Sequence, residues 1–155
     1  MIRKILFVCT GNICRSPMAE ALARHKIGEG GREPLIGVDS AGTHAYHVGE
    51  RPDSRTLSVC SAKGISTQNL MARQIAPADF QEFDLILGMD QGHVERILNL
   101  APKSGRAEIA LMMEFAGLGK IDVPDPYYGG IDGFYQIYQM LDEAITLSLQ
   151  KIIHN

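Results

Sequence analysis

Apolar and polar positions alternate in blocks along the 155-residue chain. Ile5-Leu6-Phe7-Val8 is an unbroken apolar run, as a strand buried on both faces requires. Ser16-Pro17 then predicts a helix start, with Ser16 as N-cap and Pro17 at the first helical position. That helix is expected to end near Gly28, ahead of Gly30-Gly31. Leu35 to Ser40 reads as a second strand, and residues 53–63 as a helix closed by Gly64. Asp84 to Met89 predicts a third strand, followed by a helix from Asp90 to Leu98. Ala107 to Met112 predicts a fourth strand. A long last helix is expected behind Asp132 as its cap. Its apolar positions Phe134, Ile137, Tyr138, Leu141, Ile145, Leu149 and Ile152 recur at helical spacing.

Strands separated by helices predict an α/β fold, a parallel sheet with helices on both faces in three layers. Neither a repeat nor a linker divides the chain, so residues 1–155 are expected to form one domain. In such sheets ligands bind beyond the carboxyl ends of the strands, where the strand order reverses. The loop after the first strand, Cys9 to Arg15, is therefore where chemistry is expected.

Charge and composition narrow the functional classes. Apolar residues make up 45% of the chain, enough for a core without disulfides or metal. The net charge is -3, which argues against a nucleic-acid partner. The longest fully apolar run is far too short for a bilayer, and no signal peptide is read at the N-terminus. Three cysteines without a secretion signal predict free thiols in a reducing, cytoplasmic setting. Cys60 reads as an inert buried side chain.

The segment Val8-Cys9-Thr10-Gly11-Asn12-Ile13-Cys14-Arg15-Ser16-Pro17 joins a buried strand to a helix start. The amides of Thr10, Gly11, Asn12, Ile13, Cys14 and Arg15 are enough to wrap a phosphate. Gly11 and Asn12 are the residue types that tolerate left-handed dihedrals in so tight a nest. The following helix aims its positive end at the same place and favours Cys9 as a thiolate, the nucleophilic form. Arg15 offers a planar fork for two equatorial oxygens during in-line phosphoryl transfer. The Ser16 hydroxyl is placed to steady the departing thiolate.

An ester oxygen of high pKa leaves poorly unless protonated, so phosphoryl transfer from such an ester needs a general acid. Asp125 stands between Pro124 and Pro126, which restrain its backbone without regular structure. Tyr127 and Tyr128 follow at once and can wall a slot for a flat aromatic substrate.

These pieces together resemble the low-molecular-weight protein tyrosine phosphatases. The matching segments are Val8 to Glu20, Ser40 to Thr43, Ala72-Arg73-Gln74, Met89-Asp90 and Asp125 to Gly129, in family order across nearly the whole chain. The resemblance implies a four-stranded parallel sheet in flavodoxin-like order 2-1-3-4. It implies hydrolysis of protein phosphotyrosine and small aryl phosphates through a phospho-cysteine. Cys9 would be the nucleophile, Arg15 the phosphate clamp and Asp125 the acid, then base. It also implies that Asn12, Ser16 and Ser40 support the loop, and that Cys14 can form a reversible disulfide with Cys9. The cleft walls would be Ile13, Tyr46, Tyr127 and Tyr128, with Tyr46 where relatives often carry Trp. Leu70 stands where the family often has a His joined to the serines.

Two relatives of the same fold remain as alternatives. Protein-arginine phosphatases tend to place Thr where Ile13 stands and lack the paired tyrosines. Thioredoxin-coupled arsenate reductases need two further cysteines, and only Cys60 is left. Of His25, His44, His47, His93 and His154, no pair has metal-ligand spacing, and Cys9 and Cys14 lack C-x-x-C spacing. No metal or other cofactor is expected. His47, beside Tyr46, reads as a surface or rim residue. Arg24 and Lys26 read as a solvated helix face, and Asp90 as a helix N-cap. Arg73 matches a family position without a role that chemistry alone supplies. The expected partners are phosphotyrosine proteins and a cognate tyrosine kinase, with no nucleic acid or membrane, the chain acting as a monomer or weak homodimer.

Overall fold

A computed structural model describes residues 1–31 and 35–154. Four strands, β1 (Lys4–Cys9), β2 (Gly37–Gly42), β3 (Leu85–Gly88) and β4 (Glu108–Leu111), form one parallel sheet in the order β2-β1-β3-β4. The helices are α1 (Arg15–Glu29), α2 (Ser54–Ala62), α3 (Asp79–Glu82), α4 (Gln91–Leu100), α5 (Met112–Phe115) and α6 (Ile131–Ile153). The expected class, strand order and flanking helices are all present.

The sheet sorts the apolar run of β1 by its period of two. Ile5, Phe7 and Cys9 face the larger core, packed by α1 and α6. Leu6 and Val8 face a smaller core with Phe80, Phe83, Ile86 and Ile97. Because both faces are covered, β1 carries no polar alternation. On α6 the residues Phe134, Ile137, Leu141, Ile145 and Leu149 are buried, as the helical spacing requires. Tyr138 and Ile152 lie half-buried against the same core.

Several boundaries differ from the sequence reading. Helix α1 begins at Arg15 with Cys14 as its N-cap, so Ser16 and Pro17 lie inside the first turn. Proline is tolerated there because the first four amides of a helix have no intrahelical partner. Asp132 likewise lies inside α6, whose cap is Gly130. The short helices α3 and α5 have too few residues to show a periodicity. Asp53 and Asp90 do cap their helices, Asp53 accepting from the Arg55 amide and Asp90 from the His93 amide.

Candidate active site

The loop after β1 is held from outside, and its geometry follows from where its carbonyls go. The carbonyls of Cys9 and Thr10 accept from Thr43 and His44 at the end of β2, at 2.9 and 3.0 Å. The carbonyl of Ile13 accepts from Asp53 at 2.8 Å, and that of Cys14 from Thr56 Oγ1 at 3.2 Å. With the carbonyls turned outward, the amides of residues 10–14 have no protein acceptor among the described residues. Such a ring of inward amides is an anion nest. Close approach is built in, since a Cβ on Gly42 would lie 2.6 Å from the Thr10 carbonyl.

Asn12 takes a left-handed backbone, with φ of 59°. Gly11 does not; its lack of a side chain is needed because a Cβ there would meet His47 Cδ2 at 2.8 Å. The Asn12 side chain turns away from the cleft and is 1% exposed. Its Nδ2 donates to Ser16 Oγ at 2.8 Å and Ser40 Oγ at 2.9 Å. Its Oδ1 accepts from the Arg73 amide at 3.0 Å. Each serine thus receives one hydrogen bond and has its own proton to place. Ser40 donates to Glu20 Oε1 at 2.6 Å. For Ser16 the nearer acceptor is Cys9 Sγ at 3.0 Å, with the Ala41 carbonyl at 3.4 Å. The Ser16 hydroxyl thus stands within hydrogen-bond reach of that sulfur.

Glu20 was visible in the sequence only as part of a matching segment. Burial pushes its carboxyl above the usual range, opposed by hydrogen bonds from Ser40 and Arg24. Arg24 Nη2 lies 2.6 Å from Glu20 Oε2, so Arg24 is more than a solvated residue. Lys26, too, has a partner, Asp142 on α6 at 2.7 Å. Leu70 is buried in the larger core and adds no polar group. The serine network is closed instead through Glu20 and Arg24. Arg73 gains a role as well: its guanidinium pairs with Asp39 and Asp79, which fixes the amide that meets Asn12.

Arg15 is 4% exposed. Its Nη1 donates to the Val123 carbonyl at 2.9 Å and to Asp90 Oδ2 at 3.1 Å. Capping therefore accounts for only half of Asp90, whose second oxygen orients the arginine. One cleft of about 260 Å³ is lined by Cys9, Thr10, Gly11, Ile13, Cys14, Arg15, Tyr46, His47, Asp125, Tyr127 and Tyr128. Asn12, Ser16 and Ser40 lie behind it.

Asp125 is exposed at the cleft, and its Oδ1 accepts from the Tyr127 amide at 3.0 Å. Tyr127 and Tyr128 pack edge to face with ring centres 5.1 Å apart. Tyr46 stacks on His44 at 5.0 Å and is 70% exposed, so it stands at the mouth. Arg55, which the sequence reading passed over, ties this loop to α2. It donates to the carbonyls of Gly129 and Tyr127 at 2.7 and 3.1 Å while Asp53 holds its other face. The signal that points to it is Asp53-x-Arg55, a cap whose own side chain needs a cationic partner.

Burial pushes the Cys14 thiol up to about 12, with Asp53, Cys9 and Asp125 adding to it. Burial alone takes Cys60 to about 11. Both are protonated thiols at neutral pH. Among the described residues no group of three or more His, Cys, Asp or Glu is gathered as a metal site, and no helix is long and apolar enough to cross a membrane.

Fold and cleft together place the protein among cysteine-based phosphatases. The family model described as low molecular weight phosphotyrosine protein phosphatase matches residues 4–155. A Schizosaccharomyces pombe protein of that name is 48% identical over 143 residues, covering 90% of each chain. The crystal structure of YfkJ from Bacillus subtilis superposes with a TM-score of 0.91 at 34% identity, covering 99% of this chain and 96% of that one. The crystal structure of DARP, a Drosophila arginine phosphatase, gives 0.89 at 33% identity, covering 98% of each chain. The chain belongs to the low molecular weight phosphotyrosine protein phosphatase family.

Proposed function

We propose that the chain, as one domain, hydrolyses phosphotyrosine in proteins through a phospho-cysteine on Cys9. The observation that carries this reading is that Cys9, Arg15 and Asp125 line one cleft whose walls include Ile13, Tyr127 and Tyr128. The Cys9 thiolate attacks phosphorus as the bond to the tyrosyl oxygen breaks, and Asp125 gives that oxygen its proton. Asp125 then takes a proton from water, the hydroxide forms the new bond to phosphorus, and the thiolate leaves with inorganic phosphate as product. Arg15 and the amides of residues 10–15 stabilise the charge on the equatorial oxygens throughout. Asp90 and the Val123 carbonyl keep the guanidinium in place for that task. The Ser16 hydroxyl lowers the cost of regenerating the thiolate.

Likeness to an arginine phosphatase gives a second reading, dephosphorylation of protein phosphoarginine. The paired tyrosines and Ile13 favour the phosphotyrosine reading, because flat apolar walls suit a phenyl ring better than a guanidinium. An arsenate reductase relay is disfavoured, because the remaining thiol, Cys60, is 0% exposed. Substrates would then be phosphotyrosine proteins, a tyrosine kinase the opposing enzyme, and the working form a monomer or weak homodimer in the cytoplasm. The deciding experiment compares kcat/KM on matched phosphotyrosine and phosphoarginine peptides, with Cys9→Ser as control. Faster turnover of phosphoarginine reverses the assignment, and activity retained by Cys9→Ser removes the mechanism.

A further inference from the structure

The N-terminus of α4 grips the phosphate loop at both ends, and one of its two grips has no place in the mechanism so far. Asp90 Oδ2 holds Arg15 at the far end of the loop. His93 holds Thr10 at the near end, with Nε2 2.8 Å from Thr10 Oγ1. His93 is 5% exposed, and its ring belongs to the capping box of α4.

The tautomer follows from the partners. Two groups of Asp90 face His93 Nδ1: its amide, which can only donate, at 3.2 Å, and Oδ1 at 3.3 Å, which is already engaged by the His93 amide at 2.8 Å. That nitrogen therefore offers its lone pair, and in a neutral ring the proton sits on Nε2. Burial and the Arg15 guanidinium hold the ring down to about 4, against Asp90, Asp125 and Asp122, so it is neutral at pH 7. Nε2–H consequently donates to Thr10 Oγ1. The threonine hydroxyl must then place its own proton elsewhere, and Thr10 lines the cleft beside Cys9 and Arg15.

We propose that His93 is a positioning residue: by occupying an acceptor site of Thr10 Oγ1, it turns the threonine hydroxyl proton toward the bound phosphoryl group. Thr10 thereby adds a side-chain donor to the ring of amides. The inference rests on the phosphatase reading of this cleft. It concerns a second job for Thr10 that its backbone amide does not perform.

The test uses the full chain with p-nitrophenyl phosphate turnover and, independently of turnover, calorimetric titration with inorganic phosphate. Thr10→Val keeps the shape and loses the hydroxyl. It is expected to lower kcat/KM about 10-fold and weaken phosphate binding, as losing one hydrogen bond to a charged group does. Thr10→Ser is expected to restore most of both. His93→Leu should show the same losses as Thr10→Val, and the double variant no more than either. His93→Gln, whose terminal amide can stand in for Nε2–H, should recover part of the loss. Thr10→Val with parental kcat/KM and parental phosphate affinity overturns the inference, as does full additivity of Thr10→Val with His93→Leu. If the parental chain binds phosphate but does not turn over the ester, the phosphatase reading fails alone, and the phosphate titrations still decide the role of Thr10.

Discussion

Arg55, on the first turn of α2, donates to the carbonyl of Gly129 at 2.7 Å across the mouth of the cleft. The same guanidinium lies over the rings of Tyr127 and Phe134, at 5.6 and 4.4 Å. Its tie to the segment carrying Asp125 is thus planar and multiply bonded. Arg55→Ala is expected to lower kcat about 10-fold on a phenyl phosphate, with less effect on phosphate inhibition, because the proton donor loses its position while the phosphate nest stays intact. Arg55→Lys should not rescue, since a point charge cannot meet two carbonyls and Asp53 at once. Steady-state kinetics on purified variants check both outcomes.

Removal of the Asp125 carboxyl should be felt in proportion to the leaving group. Asp125→Ala is expected to slow an unactivated phenyl phosphate by about 10²–10⁴-fold, the usual worth of general-acid help. A substrate with a strongly acidic phenol should lose much less. Equal losses across a series of substituted phenyl phosphates would remove Asp125 from the mechanism.

Asn12 combines a left-handed backbone with donors to two buried serines. Asn12→Ala should destabilise the fold by about 2–4 kcal/mol, from the strained alanine and the orphaned buried partners together. Asn12→Gly removes the backbone part alone, so the difference between the two variants in urea unfolding isolates it.

Two buried groups give opposing pH slopes to stability. The folded Glu20 carboxyl lies above its ordinary 4.5, so the native state holds a proton that the unfolded chain has lost. Stability from this group is complete below 4.5 and falls as pH rises toward the folded value. His93 lies near 4 rather than 6.5, so between those values the unfolded chain binds the extra proton and stability rises with pH. Melting curves from pH 4 to 7 should therefore rise less steeply for His93→Gln and more steeply for Glu20→Gln than for the parent. Unchanged slopes in both variants would mean that neither group titrates abnormally.

Cys14 lines the cleft with Cys9 and is held as a thiol, pushed up to about 12. Peroxide should convert Cys9 to a sulfenic acid with loss of water, and Cys14 sulfur then displaces a second water to form the disulfide. Recovery by dithiothreitol is expected to be nearly complete for the parent and poor for Cys14→Ser. Equal recovery would leave Cys14 with a packing role only.

Contiguous features were legible in the chain itself. The apolar run of β1, the Cys9–Arg15 loop, the helical spacing of α6 and the proline-bracketed Asp125 all owe their character to neighbours within a few residues. Periodicity and local backbone preference act over that range, so sequence patterns report them. The sheet order was reached only through the resemblance to the family, because right-handed crossovers by themselves allow a four-stranded parallel sheet more than one order.

Tertiary structure alone decided which distant side chains complete the site. Ser40 donates a hydrogen bond to Glu20, Arg73 meets Asn12, Arg55 reaches Gly129, and His93 reaches Thr10, the last across 83 positions in sequence. Asp90 shows why these escape a linear reading: the local explanation, an N-cap, is satisfied by one carboxylate oxygen and conceals the other, which holds Arg15. A polar side chain has more hydrogen-bonding capacity than its local role uses. Where the remainder goes depends on which backbone segments the parallel sheet brings to its carboxyl edge, and that is a property of the packed chain.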